Sequence, residues 1–205
     1  MKATLIYVHD PMCSWCWGFT SVYDQLIERL PAEVEIHRLV GGLAPDSDAP
    51  MPESMQQMLQ QTWSRIEQMI PGKKFNFDFW SQCEPRRSTY PACRAVIAAR
   101  AQGEKYDWIM TRQIQQAYYQ QARNPSDNDT LIELSSEIGL DTERFSSDLL
   151  DPGTQQSLLV EINQARSIGI DSFPSLMLKQ GGQYYRILPN YTDVEPILDQ
   201  INACL

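Results

Sequence analysis

The hydrophobic period changes twice within the first forty residues, and that switch restricts the fold more than any other feature. Residues 3–9, Ala-Thr-Leu-Ile-Tyr-Val-His, are β-branched and aromatic enough to read as a strand. From Phe19 the apolar positions Val22, Tyr23, Leu26, Ile27 and Leu30 recur at spacings of three and four, the mark of a helix with one buried face, and Pro31 ends it. Val34, Ile36 and Val40 then outline a second strand, closed by Gly41-Gly42. A strand-helix-strand unit crosses over right-handedly, which makes its two strands parallel neighbours in one sheet.

From about 52 to 168 the pattern predicts helices almost throughout. Met55, Met58, Leu59, Ile66 and Met69 mark one, stopped by Pro71-Gly72, and residues 91–101 and 106–121 give two more. Asp129 and Asp141 are placed to cap short helices, and Asp151-Pro152 to open a longer one through Ile168. Strand character returns at Ser175–Lys179 and Tyr184–Leu188 around Gly181-Gly182, a hairpin signal, followed by a helix over 193–203. The order is β-α-β, a helical insertion, then β-β-α. It divides the chain into an α/β domain of 1–45 and 169–205 and an insertion domain of 46–168. A chain of 205 residues suits one domain carrying an insertion.

Charge excludes several functions. With 17 basic against 26 acidic residues the net charge is -9, which disfavours nucleic acid and anionic membrane surfaces as partners. No apolar run approaches a membrane span, and the residues after Met1 do not resemble the basic start, apolar run and small-residue cleavage site of a secretory signal; with Met1 as the natural start, the expected location is cytoplasmic. Five cysteines, Cys13, Cys16, Cys83, Cys93 and Cys204, are an odd number with uneven spacing and not a disulfide framework. Among reduced thiols, the close pair is better read as redox-active or metal-binding. A zinc site needs two further ligands, and Cys83 and Cys93, separated by nine residues, form no second close pair; no metal or cofactor is expected.

Cys13-Ser14-Trp15-Cys16 lies where the first strand ends and the first helix begins. Unpaired N–H groups and the positive end of the helix dipole favour negative charge there, which suits a nucleophilic thiolate. Cys13, at the exposed end of the turn, is the expected nucleophile toward a disulfide. Cys16, one turn on and shielded, is the expected resolving thiol. Phe173-Pro174 enters the third strand. A proline there is often cis, and a cis bond would turn the Phe173 backbone toward a peptide docking as an added strand.

A Cys-X-X-Cys opening the first helix of β-α-β, a helical insertion, and X-Pro before β-β-α resembles the DsbA-like branch of the thioredoxin superfamily over essentially the whole chain. Asp10-Pro11-Met12-Cys13-Ser14-Trp15-Cys16-Trp17-Gly18 and Gly169-Ile170-Asp171-Ser172-Phe173-Pro174 resemble the motifs of the FrnE-like protein-disulfide isomerases. The resemblance implies an α/β thioredoxin fold with a large α-helical insertion, catalysis by Cys13 and Cys16, a cis-proline at Pro174, and substrate contacts from Phe173, Pro174 and Trp15. It also departs from pattern. Ser14 replaces the usual proline, Phe173 a smaller residue, and Tyr7 stands six residues before Cys13 where a buried carboxylate is common; His9, Asp10 and His37 are candidates to take over. Ser88-Thr89-Tyr90-Pro91-Ala92-Cys93-Arg94 is similar to a segment that opens a helix near the active site in DsbA-like and kappa-class proteins.

The expected function is a thiol-disulfide oxidoreductase or protein-disulfide isomerase acting on protein or small-molecule thiols and disulfides, glutathione included. The rival is a glutathione-dependent isomerase or transferase of the kappa or 2-hydroxychromene-2-carboxylate isomerase type. A third reading is a non-catalytic peptide-docking module presenting Phe173, Trp15 and Trp17.

Overall fold

The computed structural model describes residues 2–205. Strand β1 (Ala3–His9) leads through a short loop into helix α1 (Ser14–Arg29) and back to strand β2 (Val34–Val40), which pairs with β1 in parallel. After the helical segment, β3 (Ser175–Gln180) pairs antiparallel to β1 on its other side, and β4 (Gln183–Ile187) adds to β3. The sheet order is β2-β1-β3-β4, and α9 (Glu195–Asn202) closes the chain.

The two-residue period of β1 is read by two different cores. Leu5 and Tyr7 face Phe19, Tyr23 and Leu26 of α1 and Ile197 and Ile201 of α9. Ile6 and Val8 face the other way, onto Leu39, Met177, Ala165 and Ile170. Between β2 and β3 run α2 (Glu53–Met69), α3 (Phe79–Gln82), α4 (Tyr90–Arg100), α5 (Tyr106–Gln120), α6 (Asn128–Glu137), α7 (Thr142–Leu150) and α8 (Pro152–Ser167). They enclose a third core around Trp63, Tyr119 and Phe145, into which Met12, Trp17 and Val40 also reach. Helix α8 belongs to both sides, for Leu158 and Ile162 join the helical core while Ala165 covers the sheet. No helix among the described residues is long and apolar enough to cross a membrane.

Helix starts follow local chemistry in part. Asp141 accepts from Arg144 N (3.0 Å) and Asp151 from Gly153 N (2.6 Å), each capping as its sequence position suggests. Asp129 does not cap. Helix α6 begins at Asn128 after Asp127, whose carboxylate is instead paired with Arg86.

A partly buried charge cluster ties the helices to edge strand β2. Arg100 of α4 pairs with Glu161 of α8 and, at 3.3 Å, with Asp107 of α5, while Glu161 accepts from the Val40 backbone N–H at 2.8 Å. Beside it His9 is fully buried, stacked on Tyr7 (4.9 Å) and edge-on to Trp108 (6.1 Å), and neither ring nitrogen has a partner among the described residues. Burial, with Arg38 and Arg100 adding, pulls its imidazole down to about 3.

The unfolded chain takes up this proton near pH 6.5 and the folded chain only near 3, so His9 withdraws stability as pH falls through that window. Asp107, pushed up to about 6 by burial, works oppositely between about 6 and 3.8, because the folded state binds its proton first. A His9→Phe variant removes only the first effect. Its stability advantage over wild type in urea is expected to grow as pH drops from 7 to 4, by up to ~1.4 kcal/mol per pH unit; a constant difference would refute a neutral buried His9.

Candidate active site

Cys13 occupies the N-cap position of α1, with extended backbone. Its Sγ accepts from the Cys16 backbone N–H at 3.4 Å and lies 3.5 Å from the Phe173 carbonyl, to which the thiol donates. The sulfur therefore sits between a donor that suits its anion and an acceptor that suits its neutral form. Cys13 keeps 7% exposure whereas Cys16 keeps none. Burial, then the adjacent Cys13 sulfur, pushes the Cys16 thiol well up, and the Asp10 backbone N–H opposes this.

The Phe173-Pro174 bond is cis, and Phe173 O is the carbonyl beside Cys13. The Phe173 ring rests on Gly41, where a Cβ would come within 2.0 Å of it. A bulkier residue than the motif's usual one is thus accommodated by a glycine at the end of β2. Cys13, Trp15 and Phe173 line one open cavity of about 230 Å³ together with Met12, Met51 and Met58. Pro174 is buried behind Phe173 and does not line it.

Trp17 lies elsewhere. It is buried, stacked on Tyr119 (5.7 Å), covered by the Lys73 ammonium (4.1 Å), and donates from Nε1 to Lys74 O at 3.3 Å. It cannot form a docking face with Trp15 and Phe173. Ser14 looks inward too, its hydroxyl accepting from Trp63 Nε1 of α2 at 3.0 Å. The motif is thereby fastened to the helical core by its second residue.

Of the three candidates to replace the missing carboxylate at Tyr7, Asp10 is the one whose charge bears on the Cys16 thiol, adding a minor part to its elevation, and its carboxylate bonds to neither cysteine of the pair. The charges felt by His9 and His37 are those of Arg38, Arg100, Glu104 and Asp107, not the cysteines. Asp10 is fully buried: Oδ1 accepts from Met12 N (2.8 Å), and Oδ2 from Leu43 N (2.7 Å), Thr89 Oγ1 (2.7 Å) and the Cys93 thiol (3.4 Å). Burial raises its carboxyl although all four donors oppose it. Cys93 is thus a buried donor to Asp10. Tyr7, Tyr119 and Tyr191 surround the cysteines, and burial pushes all three hydroxyls up, the sulfurs adding to it. Thr89 lies in the segment singled out in the sequence; Tyr119 and Tyr191, from α5 and the loop after β4, carry no local signal.

A family model described as Thioredoxin matches residues 6–184. The chain belongs to the thioredoxin family. Its fold is the DsbA-like form, shared with a candidate protein disulfide isomerase of Nitrosomonas europaea (TM-score 0.87, 24% identity, 99% of this chain and 97% of that one). It is shared also with the cytosolic disulfide reductase DsbM of Pseudomonas aeruginosa (TM-score 0.78, 22% identity, 98% and 96% covered), which is also solved with GSH (TM-score 0.75). The ClpXP adapter protein SpxH of Bacillus subtilis (strain 168) is 25% identical over 168 residues, 82% of this chain but 55% of that protein. The chain spans just over half the length of this relative.

Removing the Asp10 carboxylate leaves the Met12 and Leu43 N–H groups and Thr89 without their shared acceptor. Asp10→Ala is expected to cost ~3 kcal/mol in urea denaturation and Thr89→Val, which removes one donor, ~1 kcal/mol; equal costs would mean that Asp10 is not the junction.

Proposed function

We propose that the protein is a thiol-disulfide oxidoreductase that works through Cys13 and Cys16. The observation that carries this reading is the asymmetry of the pair: one sulfur opens on a cavity at a helix N-terminus and the other is wholly enclosed behind it.

Cys13, as thiolate, attacks one sulfur of a substrate disulfide; a Cys13–substrate disulfide forms and the other substrate sulfur departs as a thiolate. While Cys13 carries charge, it holds the Cys16 proton in place. Once Cys13 is bound in a neutral mixed disulfide, that part of the elevation disappears, and Cys16 gives its proton to the departing substrate sulfur. Cys16 then attacks Cys13, leaving an intramolecular disulfide and a reduced substrate. The same steps in reverse oxidise or rearrange a substrate, which is the isomerase form of this activity.

Phe173, Pro174 and Trp15 are the substrate-contacting residues in this reading, with Pro174 acting through the loop it shapes. The α/β part, 1–45 and 169–205, carries the chemistry, and the insertion, 46–168, walls the cavity. Partners are protein or small-molecule thiols and disulfides, with glutathione supported by the DsbM structure solved with GSH. The DsbM likeness also supports a cytoplasmic location. The rival glutathione-dependent isomerase or transferase is disfavoured by Cys16, since a resolving thiol expels glutathione from Cys13. The adapter role named for the Bacillus subtilis relative stays with that protein.

Titration in glutathione redox buffers tests the reading. The expected result is a two-electron Cys13–Cys16 transition within the range of known dithiol proteins, roughly -270 to -120 mV. Cys13→Ser is expected to abolish exchange, and Cys16→Ser to stall it as a mixed disulfide. A stable glutathione adduct on the wild type, with no internal disulfide, would favour the rival.

A further inference from the structure

The walls of the Cys13 cavity carry charge of one sign. Arg86 and Arg87 line it, no aspartate or glutamate does, and this occurs in a chain of net charge -9. The two arginines differ. Arg86 is engaged, donating to the Ser126 carbonyl at 2.8 Å and paired with Asp127. Arg87 is half-buried and has neither ion pair nor hydrogen bond among the described residues. Its guanidinium is close enough to Tyr118, which lines the same cavity, to oppose the rise that burial causes in that hydroxyl. A third guanidinium, Arg65, stands 5.9 Å over the Trp15 ring at the rim.

The remaining wall is apolar, with Met12, Met51, Met58 and Leu59. Methionines shape themselves to varied partners, so they supply affinity with little discrimination. Several other polar groups of the wall already have partners: Thr89 and Leu43 N are spent on Asp10, Ser14 on Trp63 and Thr62 on the Met58 carbonyl. A partly desolvated guanidinium with no internal counter-charge, on the wall of the cavity that the reactive sulfur also lines, is a fork for a planar anion.

We infer that the cavity selects disulfides carrying a carboxylate next to the reactive sulfur, and that Arg87 is the residue that binds it. The inference rests on the disulfide-exchange reading above and names its substrate class. A carboxylated thiol of low molecular weight and an acidic protein segment flanking a cysteine both supply this chemistry.

The test measures the rate of mixed-disulfide formation at Cys13 in the full chain carrying Cys16→Ser, by mass spectrometry, with three small probes. These are 3,3′-dithiodipropionate (anionic), hydroxyethyl disulfide (neutral) and cystamine (cationic). The neutral probe corrects for any change in the reactivity of Cys13 itself. The anionic probe is expected to react roughly tenfold faster than the neutral one and cystamine slower, as one desolvated charge contact requires. Arg87→Gln is expected to bring the anionic-to-neutral ratio near one, and Arg87→Lys to keep part of it. Arg65→Gln, at the rim, is expected to change the ratio less than twofold. Oxidised glutathione and an end-capped peptide disulfide with flanking aspartates then separate the two sources, and a rate gain in either that depends on Arg87 supports the inference. Equal rates for all three probes, or a ratio unmoved by Arg87→Gln, overturn it while leaving the exchange reading intact. No reaction with any probe overturns both.

Discussion

The arrangement around the dithiol depends on one carboxylate buried where three segments meet. Asp10 reaches forward to the loop that presents Cys13, sideways to the chain leaving β2 and across to the start of α4. A charge enclosed to this degree is tolerable only when its acceptor sites are filled, and four donors converge on it. The cost of enclosing it remains visible in its raised carboxyl. What is obtained is position: the α4 start, the Gly41-Gly42 turn and the N-cap of α1 are held in one register, and the cavity over Cys13 lies between them.

The same junction accounts for the glycines that follow β2. Gly41 admits the Phe173 ring, and Gly42, at φ +61, would bring a Cβ within 2.4 Å of Ile162 and 2.9 Å of Tyr90. Sheet and helices approach each other here with no room for a side chain. The Arg100, Asp107 and Glu161 cluster performs the corresponding task farther along β2, using charge where the glycines use space. Between them these contacts hold the helical segment against the edge of the sheet.

Much of this was legible in the sequence because it is periodic or local. The alternation in β1, the spacing of three and four in α1 and the caps at Asp141 and Asp151 are properties of short stretches, and the elements follow them closely. The four-residue α3 escaped because it is shorter than any period it could display. Asp129 was misread because capping ability is common to neighbouring acidic residues, and tertiary pairing of Asp127 with Arg86 decided the matter. In the site, Cys13, Cys16 and Phe173 were legible as motif residues. Trp17 was misplaced, since position in a motif says nothing of which way a large ring turns; Lys73, Lys74 and Tyr119, all distant in sequence, hold it inside. Tyr119 and Tyr191 at the cysteines, and Arg87 on the cavity wall, had no signal to find, being brought there by packing alone.

The enclosure of Cys16 has a kinetic consequence. In the proposed exchange, electrons reach the dithiol through the Cys13 sulfur, the one of the pair that lines the cavity, so donor and acceptor share a single opening. Donor and acceptor must therefore take turns, each leaving before the other arrives, so an abundance of either one obstructs the other. Turnover in such a device is governed by the balance of its two partners as well as by the potential of its disulfide, and a cell could throttle it by supplying too much of what it uses.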